Sequence, residues 1–192
     1  MQNDTSFARL VSLACHDVRT PLATVHGFAR TLSRTAELEP PADRYLEMIE
    51  AASSQIAELL DELSLAARLE SGRYEPAVSE TDTLELAHAA AERLGAERVR
   101  VSGEGATVET DHDAVDRGVS ALVQAALRHG GLDEVALVVR GRELEVSPIT
   151  ESSARVVLGD ELRDLGAAVA VRVIESLDGA VGVADGTLTI RL

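Results

Sequence analysis

Two stretches of helical apolar repeat, separated by a pair of prolines, constrain the first third of this chain to a helical hairpin. Phe7, Val11, Ala14, Val18, Leu22, Val25, Ala29 and Leu32 recur at intervals of three and four, the spacing of one face of an α-helix. Glu39-Pro40-Pro41 ends that run and opens a second one. There Tyr45, Ile49, Ala52, Ile56, Leu59, Leu63 and Ala66 form a heptad-like seam, widened by Met48 and Leu60. A short connection makes the two helices antiparallel neighbours. One hairpin buries too little apolar surface by itself, whereas two close into a four-helix bundle, so the pattern predicts a homodimer. Ser71-Gly72 ends the second helix.

From about residue 76 the pattern changes to alternating helices and short strands. Residues 83–94 read as a helix capped by Thr81 or Asp82. Val99–Ser102 and Thr107–Glu109 read as short strands around a Gly103-Glu104-Gly105 turn. Asp113 opens a helix that runs to His129 and stops at Gly130-Gly131. Residues 134–140 and 143–146 form a hairpin across Gly141, 160–177 form a helix, and 180–184 and 187–191 pair across Asp185-Gly186. This order predicts helices over a mixed sheet, a two-layer α/β sandwich, so the whole is a helical hairpin at 1–72 followed by an α/β domain at 76–192. With aromatics at 2% of 192 residues, the core must be built from Leu, Val, Ile and Ala.

Charge narrows the function classes. The net charge of −15 argues against general nucleic-acid binding. Residues 1–35 hold four arginines against two aspartates, a local charge of +2, so the other 157 residues carry −17. Basic charge concentrated on the first helix points to an acidic partner. A single cysteine excludes an internal disulfide and fits a reducing cytoplasm, and Cys15 reads as a small core residue. No apolar run approaches the roughly 20 residues that span a bilayer, which predicts a cytoplasmic protein without membrane insertion.

Chemistry concentrates at Cys15-His16-Asp17-Val18-Arg19-Thr20-Pro21-Leu22. At about 100° per residue His16 falls opposite the apolar stripe, with a carboxylate next in sequence and the Thr20 hydroxyl one turn on. Pro21 removes the N–H that would bond the Asp17 carbonyl and predicts a kink past the histidine. This octet resembles the phospho-accepting box of sensor histidine kinases, and residues 7–71 resemble their dimerisation and histidine-phosphotransfer domain. The resemblance implies that His16 accepts a phosphoryl group. Only 15 residues precede His16, so the expected input comes from another protein.

Residues 76–192 resemble the ATP-binding domain of the same kinases, more weakly. The helix of the family's first ATP motif corresponds to 113–129, and its two asparagines, the second a magnesium ligand, fall on Ala121 and Ala125. The family's adenine-binding aspartate falls on Ser147, and the first glycine of its last motif falls on Asp164 in Asp164-Leu165-Gly166-Ala167. The lid between them shrinks to 149–163. The resemblance therefore implies a nucleotide domain that has lost its ligands, with no cofactor of its own.

An intact acceptor box beside such a domain resembles the dimeric histidine phosphotransferases of bacterial phosphorelays. By that resemblance His16 carries a phosphoryl group between the aspartates of receiver domains of response regulators. Histidine's ordinary pKa of about 6.5 leaves the imidazole mostly neutral at pH 7, as a nucleophile requires. Asp17 orients the ring by accepting from Nδ1, leaving Nε2 to attack. Thr20 serves receiver dephosphorylation, and magnesium is supplied by the receiver. Arg19, within the box, is also expected to bind the receiver. Ala23 and Gly27 continue the ridge of His16 and Thr20 as a shallow track, flanked by Arg30 and Arg34, and this set is the expected receiver-docking surface. A receiver phosphatase, a scaffold without turnover and a kinase with a divergent ATP site remain as alternatives. Asp111-His112-Asp113 reads as a helix cap, and His26, His88 and His129 as structural or surface residues.

Overall fold

The computed structural model describes residues 2–35 and 42–192, so the proline-pair break lies outside the described residues. The chain forms two compact units, residues 1–74 and 75–192.

The first unit is α1 (Gln2–Thr35) packed against α2 (Ala42–Glu70). α1 is helical without interruption through Pro21. Arg19 pairs with Asp61 at 2.6 Å and the Ser33 hydroxyl donates to Glu50 at 2.7 Å, which sets the helices antiparallel.

The seam between them differs from the apolar stripes read in the sequence. On α1, Ala8, Cys15 and Ala29 are buried, and Ser12, Arg19, Leu22, His26 and Ser33 are half-buried. On α2, Ser53 and Ala67 are buried, Leu46, Glu50, Ala57, Leu60 and Ser64 are half-buried, and Leu65 is buried beside them. Both sets alternate at four and three, and apart from Leu22, Leu46 and Leu60 both are small or polar. The expected single stripe of α1 splits: Val11, Leu22 and Ala29 are buried or half-buried, whereas Ala14, Val18, Val25 and Leu32 are exposed. The expected seam of α2 turns outward, with Tyr45, Ile49, Ala52, Ile56, Leu59 and Leu63 all exposed. The physical reason is that a heptad has room for two adjacent seams. The one closed inside the hairpin takes mostly small or polar residues with a few leucines, and most of the larger apolar residues occupy its neighbour.

The second unit is built around a five-stranded sheet. Its elements are β1 (Val78–Asp82), α3 (Thr83–Leu94), β2 (Val99–Gly105), β3 (Thr107–Asp111), α4 (His112–Gly130), β4 (Val135–Gly141), β5 (Glu143–Ser147), α5 (Glu151–Val157), α6 (Leu165–Ser176), β6 (Ala180–Ala184) and β7 (Thr187–Arg191). The sheet order is β2-β4-β5-β7-β6, antiparallel except for β2 beside β4. Val99, Val135, Leu137, Val139, Leu144, Val146, Leu188 and Ile190 share one face by register and pack into a core with Leu86, Val119, Leu122, Leu127 and Ile174 of the helices. The opposite face carries Arg140, Glu145, Thr187, Thr189 and Arg191, exposed or half-buried. Helices thus cover one side only, giving the two layers expected.

Three local expectations are corrected. First, β2 and β3 do not form a hairpin: β2 joins the main sheet, and β3 pairs antiparallel with β1 in a separate ribbon. Gly103 and Gly105 are packing glycines within β2. A Cβ on Gly103 (φ 107°) would lie 2.0 Å from the Val139 carbonyl oxygen, and one on Gly105 would lie 2.8 Å from the start of α3. Second, β1 was not expected, because Val78-Ser79-Glu80-Thr81-Asp82 lacks the apolar alternation of a strand. Third, residues 149–163 contain α5, and α6 starts at Leu165 instead of 160 because Asp164 caps it. Among the described residues no helix is long and apolar enough to cross a membrane.

Candidate functional site

His16 sits midway along α1, its side chain 76% exposed and pointing away from the hairpin seam. The neighbouring Asp17 carboxylate, 68% exposed, lies 3.2 Å from His16 Nδ1. With Nδ1–H donating to Asp17, the lone pair of Nε2 is left facing outward. Both groups are well hydrated, so the contact is an orienting one and contributes little to stability.

The neighbours of His16 divide into two groups. Thr20, Ala23, Gly27, Arg30 and Arg34 are all exposed and follow His16 along one side of α1. A Cβ on Gly27 would meet no atom within 4 Å, so the backbone there is open to close approach. The hydroxyls of Thr24 and Thr31 donate to the carbonyls of Thr20 and Gly27, at 3.2 and 2.7 Å. Arg19 belongs elsewhere. It is half-buried on the seam and tied to Asp61, so it braces α1 against α2 and lies off the exposed track of Thr20, Ala23 and Gly27.

In the second unit the four positions that the resemblance aligns with nucleotide ligands lie as follows. Ala125 is fully buried within the apolar core, and Ala121 packs against it half-buried. Ser147 is the half-buried last residue of β5. Asp164 caps α6, accepting from the Ala167 N–H at 3.1 Å, and its other oxygen lies 3.0 Å from His129 Nε2. His129 therefore has a defined partner that no local sequence pattern signals, since 35 residues separate the two. Asp111 is the cap of α4, accepting from the Ala114 and Ala77 N–H groups, and His112 follows as the first helical residue, 3.4 Å from the Thr81 hydroxyl. Among the described residues no group of three or more His, Cys, Asp or Glu is arranged to hold a metal ion.

Comparison with known proteins places these features. Residues 8–72 match the His Kinase A (phospho-acceptor) domain. An 87-residue stretch, 45% of the chain, is 32% identical to the sensor histidine kinase TrcS of Mycobacterium tuberculosis, and spans 16% of that protein. Full-length ShkA, solved in complex with AMPPNP, shares the fold with a TM-score of 0.71 at 20% identity, over 95% of this chain and 44% of that one. The histidine kinase AdeS of Acinetobacter baumannii aligns with a TM-score of 0.61 at 16% identity, over 92% of this chain and 96% of that one. The architecture, a hairpin matched by the phospho-acceptor model followed by an α/β domain, has the fold of these histidine kinases.

Proposed function

We propose that this histidine kinase-like chain is a histidine phosphotransferase of a two-component phosphorelay, with His16 as the carrier. The observation that carries the reading is the contrast between the two units. The acceptor site is open and intact within a matched phospho-acceptor segment, whereas Ala121, Ala125, Ser147 and Asp164 stand where nucleotide ligands are expected.

The reaction is a reversible displacement at phosphorus. Nε2 of neutral His16 attacks the aspartyl phosphate of a receiver, a P–N bond forms, the P–O bond breaks and the receiver carboxylate leaves. Asp17 holds the Nδ1 proton and stabilises the positive charge that develops on the ring. The second receiver's carboxylate then attacks phosphorus in the reverse sense. Magnesium for both transfers comes with the receiver, whose acidic surface is met by Arg30 and Arg34, which speeds encounter more than it tightens binding. The protein acts as a homodimer. Eleven large apolar residues of the first unit, from Leu13 to Leu63, are exposed among the described residues, and a second hairpin covers such a face.

A second reading, a histidine kinase with a divergent nucleotide site, is favoured by the completeness of the α/β fold. One experiment separates them. Incubated with a labelled phospho-receiver, the protein is expected to become labelled in acid-labile form at His16. Incubated with labelled ATP and magnesium, it is expected to remain unlabelled. The reverse pattern overturns the proposal.

A further inference from the structure

The ends of α4 and α6 meet at a closed cluster of polar groups. Asp164, only 13% exposed, turns one carboxylate oxygen to the Ala167 N–H at the start of α6 and the other to His129 Nε2, itself on a side chain 18% exposed. Arg128 Nη1 lies 3.9 Å from the same oxygen. The neighbouring carbonyl of His129 accepts from the Ser152 hydroxyl at 2.9 Å, so the end of α4 is also satisfied from within the chain. A helix N-terminus carries unpaired N–H groups and the positive end of the helix dipole, and it favours an anion. Here a side chain already supplies one, held in place by cationic or hydrogen-donating groups from a different helix.

We infer that Asp164 is an internal anion. Its carboxylate occupies the N-terminus of α6 as a bound oxyanion would, locks α6 to α4 through His129, and so closes this junction to phosphate-bearing ligands. The lock works whether His129 is neutral with its proton on Nε2 or doubly protonated, because Nε2 donates in both forms. The inference rests on the reading of the second unit as free of nucleotide. It does not depend on the chemistry at His16.

Removal of the carboxylate should open an anion site, which gives the test. Thermal unfolding of the full chain is measured in inorganic phosphate and in sodium chloride of equal ionic strength. Phosphate raises wild type only by its general exclusion from protein surfaces, and that rise is the baseline. Asp164→Ala should melt lower by roughly 4–6 °C, the usual consequence of losing a helix cap in a domain of this size. Phosphate should then recover part of the loss beyond that baseline, chloride should not, and adding His129→Ala should abolish the excess recovery. An unchanged melting temperature in Asp164→Ala, a phosphate-specific rise in wild type equal to that of the variant, or recovery independent of His129 each overturns the inference. Should Asp164→Ala fail to fold, Asp164→Asn keeps an acceptor at the cap. Its loss combined with His129→Ala should be smaller than the sum of the separate losses, and additive losses refute the lock. His16 labelling by a phospho-receiver is read in the same samples. Its absence in wild type rejects the phosphotransferase reading and leaves the thermal result standing, whereas saturable stabilisation of wild type by ATP and magnesium rejects the nucleotide-free reading itself.

Discussion

His16 offers a nucleophilic nitrogen to solvent while its other nitrogen faces Asp17, an arrangement that needs only two adjacent residues and a helix to hold them. His16→Gln should keep the fold, because the side chain makes no buried contact, and should abolish acid-labile phosphorylation by a phospho-receiver. Retained labelling, read by gel autoradiography, places the acceptor elsewhere. Thr20 lies one turn on, exposed, and its carbonyl is held by the Thr24 hydroxyl irrespective of its own side chain. Thr20→Ala should therefore leave α1 undisturbed, lower any receiver dephosphorylation and spare transfer. Equal loss of both activities would instead assign Thr20 to docking. Arg19 shows how a residue within a motif can be claimed by packing. Its pair with Asp61 is partly exposed on both sides, so Asp61→Asn should cost less than about 1 kcal/mol of stability by chemical denaturation.

At the scale of elements, α1 serves three surfaces at once. One side carries His16, Thr20, Ala23 and Gly27, another closes on α2, and a third presents Val18, Val25, Phe28 and Leu32 to the outside. Gly27 belongs to the first. A helix interior disfavours glycine by roughly 1 kcal/mol against alanine, and no neighbouring atom requires it, since a Cβ there meets open space. Gly27→Leu should thus raise thermal stability slightly while weakening receiver binding and slowing transfer several-fold, as followed by titration calorimetry and stopped-flow transfer. Unchanged kinetics in this variant would move the docking surface off the track.

The whole molecule joins an exposed apolar hairpin to a self-contained α/β unit. Polar residues such as Ser12, His26, Ser33, Ser53 and Ser64 interrupt Leu22, Leu46, Leu60 and Leu65 inside the hairpin, so that seam supplies limited apolar burial. The larger side chains of the outer face each contribute roughly 1.5–3 kcal/mol if fully covered. Ile56→Glu should consequently dissociate the dimer in light scattering and unfold the hairpin with it, while the α/β unit keeps its own thermal transition. A monomer in the wild type at micromolar concentration would contradict the arrangement. The α/β unit should show no saturable heat with ATP and magnesium up to millimolar levels, since Ala125 lies inside the apolar core and offers no oxygen for a cation.

Local periodicity and turn chemistry were enough to read both long helices, the two-layer α/β architecture and the exposed position of His16. Each depends on residues within one or two turns or on a two-residue hairpin such as Asp185-Gly186, where φ is 49° and 72°. Which of two adjacent seams closes the hairpin could not be read this way, because both satisfy the same spacing and only the partner helix selects between them. The same holds for β2 and β3, whose glycines read as a turn until the neighbouring strand Val135–Gly141 shows why a side chain at Gly103 has no room. It holds again for His129 and Asp164, brought together only when α4 and α6 pack. Contacts at long sequence separation arise from closure of the chain, and no pattern of neighbours encodes them.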